Sequence, residues 1–169
     1  MNIIINDRKK RLRELLEKQK QKSRVEQEKK DFEMVLDEVN KLFPNIDDQV
    51  EVDILTKEDS EKIIDNLFKE FPFCNSGIDW QLMYCKSIFS NFIDYESALA
   101  ELLIKNFNVN NEICYIIDLN YQHVIKTKLI TIVHRIEEVR TWDRYIYSPK
   151  IKLVIEFPSN DIAVGWKEK

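Results

Sequence analysis

The last third of the chain most restricts the folds open to it. Trp142-Asp143-Arg144-Tyr145-Ile146-Tyr147-Ser148-Pro149, Ile151 to Phe157, and Ile162-Ala163-Val164-Gly165-Trp166 read as three successive strands. Ser-Pro-Lys and Pro-Ser-Asn-Asp turn signals join them. A further strand-like run, Ile113 to Leu119, precedes them by about twenty residues. Strands that follow one another through tight turns pair antiparallel. The expected fold is therefore α+β, with N-terminal helices packed on one face of a small, mostly antiparallel C-terminal sheet.

The first half supplies the helices. From Asp7 to about Phe43 neither Pro nor Gly interrupts a run of Arg, Lys, Glu, Gln and Leu, all good helix formers. Phe32, Val35, Leu36, Val39, Leu42 and Phe43 repeat at helical spacing and form one apolar face, whereas Gln19 to Ser23 carry none. The spacing thus predicts an exposed basic arm over residues 1–27, followed by a single α+β domain over 28–169. Pro44 ends the helix, Asn45 to Glu51 is an acidic loop, and Val52 to Leu55 is a short edge strand. Thr56 with Asp59 three residues on has the pattern of a helix N-cap. The helix after it points Ile63, Ile64, Leu67, Phe68 and Phe71 inward and stops before Pro72. Phe73 to Gly77 reads as a turn and Ile78 to Phe92 as a helix. Asp94 caps another helix carrying Ala98, Leu99, Leu102 and Leu103 inward. His123 to Arg140 carries both a helical stripe and a strand-like alternation from Ile125 to Val133; its length and charged end favour a helix.

Motifs that would mark chemistry are missing from the sequence. The chain of 169 residues has only two glycines, Gly77 and Gly165, too few for a phosphate-cradling loop or a dinucleotide fingerprint. His123 and His134 are eleven residues apart, about 16 Å on a helix, too far to share a metal. Cys74, Cys85 and Cys114 are odd in number and widely spaced, as expected of reduced thiols. Asp47, Asp48, Glu51 and Asp53 lack the glycine and regular spacing of a calcium loop. No metal or cofactor is expected, and the chain is read as a binding protein, not an enzyme. A hydrolase working through His134 or Cys74 is the least supported alternative. No run is long enough to span a bilayer. The first residues lack the order of a signal peptide, with basic residues after the apolar stretch, so the expected location is the cytoplasm.

Charge is uneven. Residues 1–30 hold 11 Lys/Arg against 5 Asp/Glu, and residues 31–61 hold 2 against 11. The arm, with Arg8-Lys9-Lys10-Arg11-Leu12-Arg13, reads chiefly as a solvated helix; no aromatic platform accompanies it, so nucleic acid is not an expected partner. The arm is also a route to dimerisation. An adaptor acting through self-association or nucleic-acid contact of this arm is the alternative function.

Several segments in order carry a family resemblance. They are Phe71-Pro72-Phe73 with Gly77-Ile78-Asp79-Trp80; Cys114-Tyr115-Ile116-Ile117-Asp118; Arg135-Ile136-Glu137-Glu138-Val139; Trp142 to Pro149; and Leu153-Val154-Ile155-Glu156-Phe157 with Asp161 to Gly165. Together they resemble small bacterial immunity proteins of contact-dependent growth inhibition and related polymorphic toxin systems, over roughly residues 70–166. The resemblance implies a cytoplasmic protein that binds a cognate toxin domain, often a nuclease, and neutralises it by occlusion. A nuclease is basic where it holds the phosphate backbone, and an acidic inhibitor associates with it fast and selectively. The first candidate surface is Asp47, Asp48, Glu51, Asp53, Glu58 and Asp59, with Glu61. The second is Asp143, Tyr145, Tyr147 and Glu156 on the terminal sheet, where alternation sends the two tyrosines to one face as a partner-binding surface.

Overall fold

The computed structural model describes residues 2–44, 51–90, 94–107, 109, 111–141, 143–159 and 161–167, with backbone alone for 2–10 and 12. The run of helix formers makes one helix, α1 (Asn2–Leu42), about 60 Å long at 1.5 Å per residue. Exposed pairs such as Lys22–Glu26 and Lys29–Glu33 brace it one turn apart. Residues 13–30 are exposed throughout, with residues 21–28 flanking a shallow cleft against Lys57 and Gln122, and the first buried residue is Asp31. There the Asp31 carboxylate accepts the Gln122 N–H at 2.7 Å. Val35, Val39, Leu42 and Phe43 are buried beyond it. At roughly 1.5–3 kcal/mol per buried apolar side chain, this short segment anchors α1 to the body.

The chain then adds β1 (Asp53–Ile54), α2 (Lys57–Glu70), a small hairpin of β2 (Phe73–Cys74) and β3 (Gly77–Ile78), and β4 (Cys85–Phe89). After α3 (Tyr95–Asn106) come β5 (Ile113–Asp118), β6 (Ile125–Lys128), and the short helices α4 (Leu129–Val133) and α5 (Ile136–Val139). β7 (Arg144–Ser148), β8 (Leu153–Glu156) and β9 (Ile162–Trp166) complete the order. Seven strands form one sheet in the order β1-β6-β5-β7-β8-β9-β4, antiparallel at every pairing. The α+β reading therefore holds, with two differences. Besides the expected edge strand β1, the sheet recruits β4 from earlier in the chain, and helices cover both of its faces. Val35, Val39, Leu99, Leu103, Leu129 and Ile132 pack with one face, onto Cys114, Ile116, Ile146, Ile155 and Val164. Leu67 of α2 and Phe71 just after it, with Ile78 and Met83, cover the other, over Ile117, Tyr145, Tyr147 and Val154.

Three local readings are corrected. The expected helix over 78–92 is instead the end of the hairpin, a loop and strand β4, whose residues alternate between half-buried and exposed. The spacing of Trp80, Met83 and Ser87 imitated a helix; the alternation across 85–89 was the better signal. His123 to Arg140 is a strand followed by two short helices. The alternation at Ile125 and Thr127 belongs to β6, and the stripe at Leu129, Ile132, Ile136 and Val139 belongs to α4 and α5. Phe68 points outward, 43% exposed, and meets Phe73 edge-on with ring centroids 4.6 Å apart. Trp142 and the acidic loop at 45–50 lie outside the described residues.

Among buried charges, Arg144 decides how α1 meets the sheet. Its guanidinium donates to Glu38 of α1 at 2.8 Å, to Asp118 of β5 at 3.4 Å and to the Val139 carbonyl at 2.9 Å. A buried cation without such partners would be strongly unfavourable.

Candidate functional site

The face covered by α2 holds most of the described candidates. Its acidic end is built where β1 meets α2. Leu55 N–H donates to the Val124 carbonyl at 2.9 Å, and His123 Nδ1–H donates to the Leu55 carbonyl at 2.8 Å. Ser60, fully buried, accepts the Val124 N–H at 2.9 Å and donates to the Thr56 carbonyl at 2.8 Å. These bonds fix the first turn of α2 against the sheet edge. Thr56 caps that turn as its sequence predicts, accepting the Asp59 N–H at 3.2 Å. Glu58 and Asp59 then sit where a helix N-terminus favours negative charge.

Glu51, Asp53, Glu58, Asp59 and Glu61 are all exposed; Asp47 and Asp48 lie outside the described residues. The sheet alternation places Asp53 beside Lys126, away from the Ile54–Ile125 pair that joins the α1-side core. Lysines answer much of this charge. Lys128 lies 3.9 Å from Glu51, Lys126 lies 3.3 Å from Asp53, and Lys62 lies 3.1 and 3.0 Å from Glu58 and Asp59. Hydrogen bonds from Lys62 and then Thr56 hold the Asp59 carboxyl below its usual range. Exposed pairs of this kind contribute little to stability. The five carboxylates remain exposed beside these lysines.

The second group is dispersed. Asp143 is exposed, with a left-handed backbone at φ 62°. Tyr145, Tyr147 and Glu156 are buried, correcting the expected tyrosine surface. The alternation that aligns the two rings is present, but α2 and the β2–β3 hairpin cover them. Phe73 meets the Tyr145 ring edge-on, and Phe71 meets Tyr147 in the same way. Tyr147 donates its hydroxyl to Glu70 of α2 at 2.6 Å. Glu156 stands opposite Tyr145 in the ladder and accepts the Ile78 N–H at 3.2 Å and the Trp80 indole N–H. Burial raises its carboxyl pKa; the Trp80, Ile78 and Tyr145 donors oppose that rise. Burial first, and then Glu156, push the Tyr145 hydroxyl well up. These groups anchor the hairpin.

Beyond the hairpin, the same face ends in exposed apolar side chains that sequence reasoning passed over. Leu82, Tyr84 and Ile88 are open to solvent, and they went unnoticed because 78–92 reads as a buried helix. Elsewhere His134 is a surface residue bonded to Glu96 at 2.8 Å, and Cys74 lies 3.4 Å from the Ser76 hydroxyl. Among the described residues no cluster of three His, Cys, Asp or Glu is placed to hold a metal ion. No described helix is long and apolar enough to cross a membrane.

Compared with known proteins, residues 48–165 match the family model described as CdiI immunity protein, EcoliA0-like. No individual curated protein matches the chain.

Proposed function

The chain belongs to the CdiI immunity protein family, and we propose that it acts in the cytoplasm by covering a nuclease toxin with its α2 face. Family membership implies neutralisation of a cognate CdiA toxin and makes the chain an inhibitor, not an enzyme. The observation that carries the finer reading is geometric. Glu51, Asp53, Glu58, Asp59 and Glu61 are exposed together where β1 meets α2, and Asp47 and Asp48 continue the acidic run in sequence. A basic substrate groove is the complement of such a surface, and complementary charge speeds encounter more than it tightens the final complex. Asp143 is a lesser contact of the same proposal, while Tyr145, Tyr147 and Glu156 support the face from beneath.

The test is the association rate at low salt. The triple variant Glu51→Lys, Asp53→Lys, Glu58→Lys should associate with the toxin about tenfold more slowly, with a flatter salt dependence. An unchanged rate removes the acidic end from the interface. The exposed part of α1 lies outside the matched residues 48–165. It is the element on which dimerisation or an adaptor role depends; concentration-dependent sedimentation, lost on deleting residues 1–27, tests that second reading.

A further inference from the structure

The far end of α2 carries the opposite charge from its start. Lys69 lies in the last turn of the helix, where a cation is favoured beside the unpaired carbonyls. Lys152 stands in the turn before β8, with φ 49°, and its carbonyl accepts the Lys167 N–H at 3.1 Å. That bond holds the turn before β8 against the end of β9. With Asn66, Glu70 and Tyr147, the three lysines line a recess of about 380 Å³. Tyr147, buried under α2, donates its hydroxyl to Glu70 at 2.6 Å and fixes the floor. The Lys167 ammonium lies 5.8 Å from the centre of the Phe71 ring, within reach of a cation–π attraction.

The three lysines are exposed. Among the described residues none of them forms an ion pair, whereas Lys62, Lys126 and Lys128 at the acidic end each lie 3.9 Å or less from a carboxylate. Only Glu70 opposes them within the recess, and it is engaged by Tyr147. Gathering like charges without an answering charge is unfavourable, and an incoming anion relieves it.

The surroundings choose the anion. A nucleic acid needs a basic track several phosphates long, or aromatic platforms for its bases. The recess has three lysines and no exposed aromatic ring in its lining. From it α2 leads back to Glu61, Asp59 and Glu58, its 14 residues spanning about 21 Å. A phosphate backbone following this face would meet those carboxylates. A second copy of the chain, turned to bring its acidic end to the recess, would set its Lys62, Lys126 and Lys128 against Lys69, Lys152 and Lys167. A toxin domain with carboxylates about 20 Å from a basic groove meets neither obstacle. Opposite charges at the two ends of one helix admit one direction of docking and oppose the reverse.

We propose that Lys69, Lys152 and Lys167 bind carboxylates of the cognate toxin domain, and that with the acidic start of α2 they fix the direction in which that domain docks. This rests on the toxin-neutralising reading and adds to it a second contact and an orientation.

The experiment uses the full chain with a cognate CdiA toxin domain. Zero-length carbodiimide coupling joins amines only to carboxylates in contact. In the wild-type complex it should link Lys69, Lys152 or Lys167 to aspartates or glutamates of the toxin, and Glu58, Asp59 or Glu61 to toxin lysines. The Lys69→Glu, Lys152→Glu, Lys167→Glu variant should associate about tenfold more slowly at low salt, with an unchanged thermal transition. Coupling needs no substitution, so it reads the recess even if that variant unfolds. Absence of the recess links, or an unaltered association rate in the folded variant, overturns the recess as a contact and leaves neutralisation standing. Recess links without links at the acidic end overturn the fixed direction. A wild-type chain that fails to bind the toxin overturns both readings. Links from these lysines to a second copy of the chain, in place of the toxin, overturn the toxin as occupant. Salt-sensitive binding of a single-stranded RNA, lost in the triple variant while toxin binding is unaltered, does so in favour of phosphate.

Discussion

Gly77 is the point at which one added methyl group should do the most damage. Its φ is +117°, a region that residues with a side chain rarely adopt. A Cβ built there lies 2.0 Å from Glu156 Oε1 and 3.3 Å from the Tyr145 hydroxyl. Alanine at this position faces two costs at once. The backbone must hold a strained conformation, worth about 1–3 kcal/mol. The Glu156 carboxylate must also move away, weakening its bonds from Ile78 and Trp80, each worth roughly 1.5–3 kcal/mol for a charged acceptor. Together Gly77→Ala should lose about 3–6 kcal/mol, since the displaced carboxylate keeps part of its bonding. At roughly 2–4 °C per kcal/mol for a chain of this size, the thermal midpoint should fall by about 6–24 °C. Gly165→Ala is the comparison. Its Cβ meets the mobile end of Met83 at 2.5 Å and the Trp80 ring at 2.8 Å, and its φ is not positive, so about 1–3 kcal/mol is expected from overpacking alone. Thermal and urea unfolding measure both. A Gly77→Ala loss below about 1 kcal/mol, or one smaller than that of Gly165→Ala, would refute the reasoning about the hairpin.

Two further outcomes are expected. Deleting residues 1–27 should move the thermal midpoint by no more than about 2 °C, since the described side chains there are exposed and their ion pairs contribute little; a drop of about 8 °C or more would place the arm in the folded core. The raised pKa of Glu156 means the folded chain holds this proton more tightly than the unfolded chain. Its stabilising contribution is therefore complete below the ordinary carboxylate pKa and is lost as pH rises through the folded value. Glu156→Gln removes that dependence but leaves one of the two N–H donors without its acceptor. Its stability deficit should be greatest near pH 4 and narrow towards about pH 7. Denaturation across that range checks the sign, and a deficit that widens with pH contradicts it.

Much of this fold could be read from local chemistry. The Ser-Pro-Lys and Pro-Ser-Asn-Asp signals correspond to the turns before β8 and β9, where Lys152 and Ser159 adopt positive φ. Thr56 and Asp94 cap α2 and α3, each side chain accepting a backbone N–H three residues on. Val52 to Leu55 contains the edge strand β1. What stayed hidden depended on contacts far along the chain. Glu156 looks like a surface carboxylate in an apolar strand until Gly77 and Trp80, nearly eighty residues earlier, come to lie beside it. Tyr145 and Tyr147 share a face, but only the tertiary structure tells that α2 covers it. The lysines that answer the acidic end come from β6 as well as α2, so a count along residues 31–61 overstates its net charge. Trp80, Met83 and Ser87 suggested a helix because four-residue spacing also occurs by chance in a loop leading into a strand. That error concealed strand β4.

Calorimetric titration of the full chain into a cognate CdiA toxin domain, with toxin activity followed in the same samples, tests neutralisation most directly. One-to-one binding in the nanomolar range, about −12 kcal/mol, is expected, with activity lost in step with complex formation. Absence of binding, or binding that leaves the toxin fully active, would contradict neutralisation by occlusion.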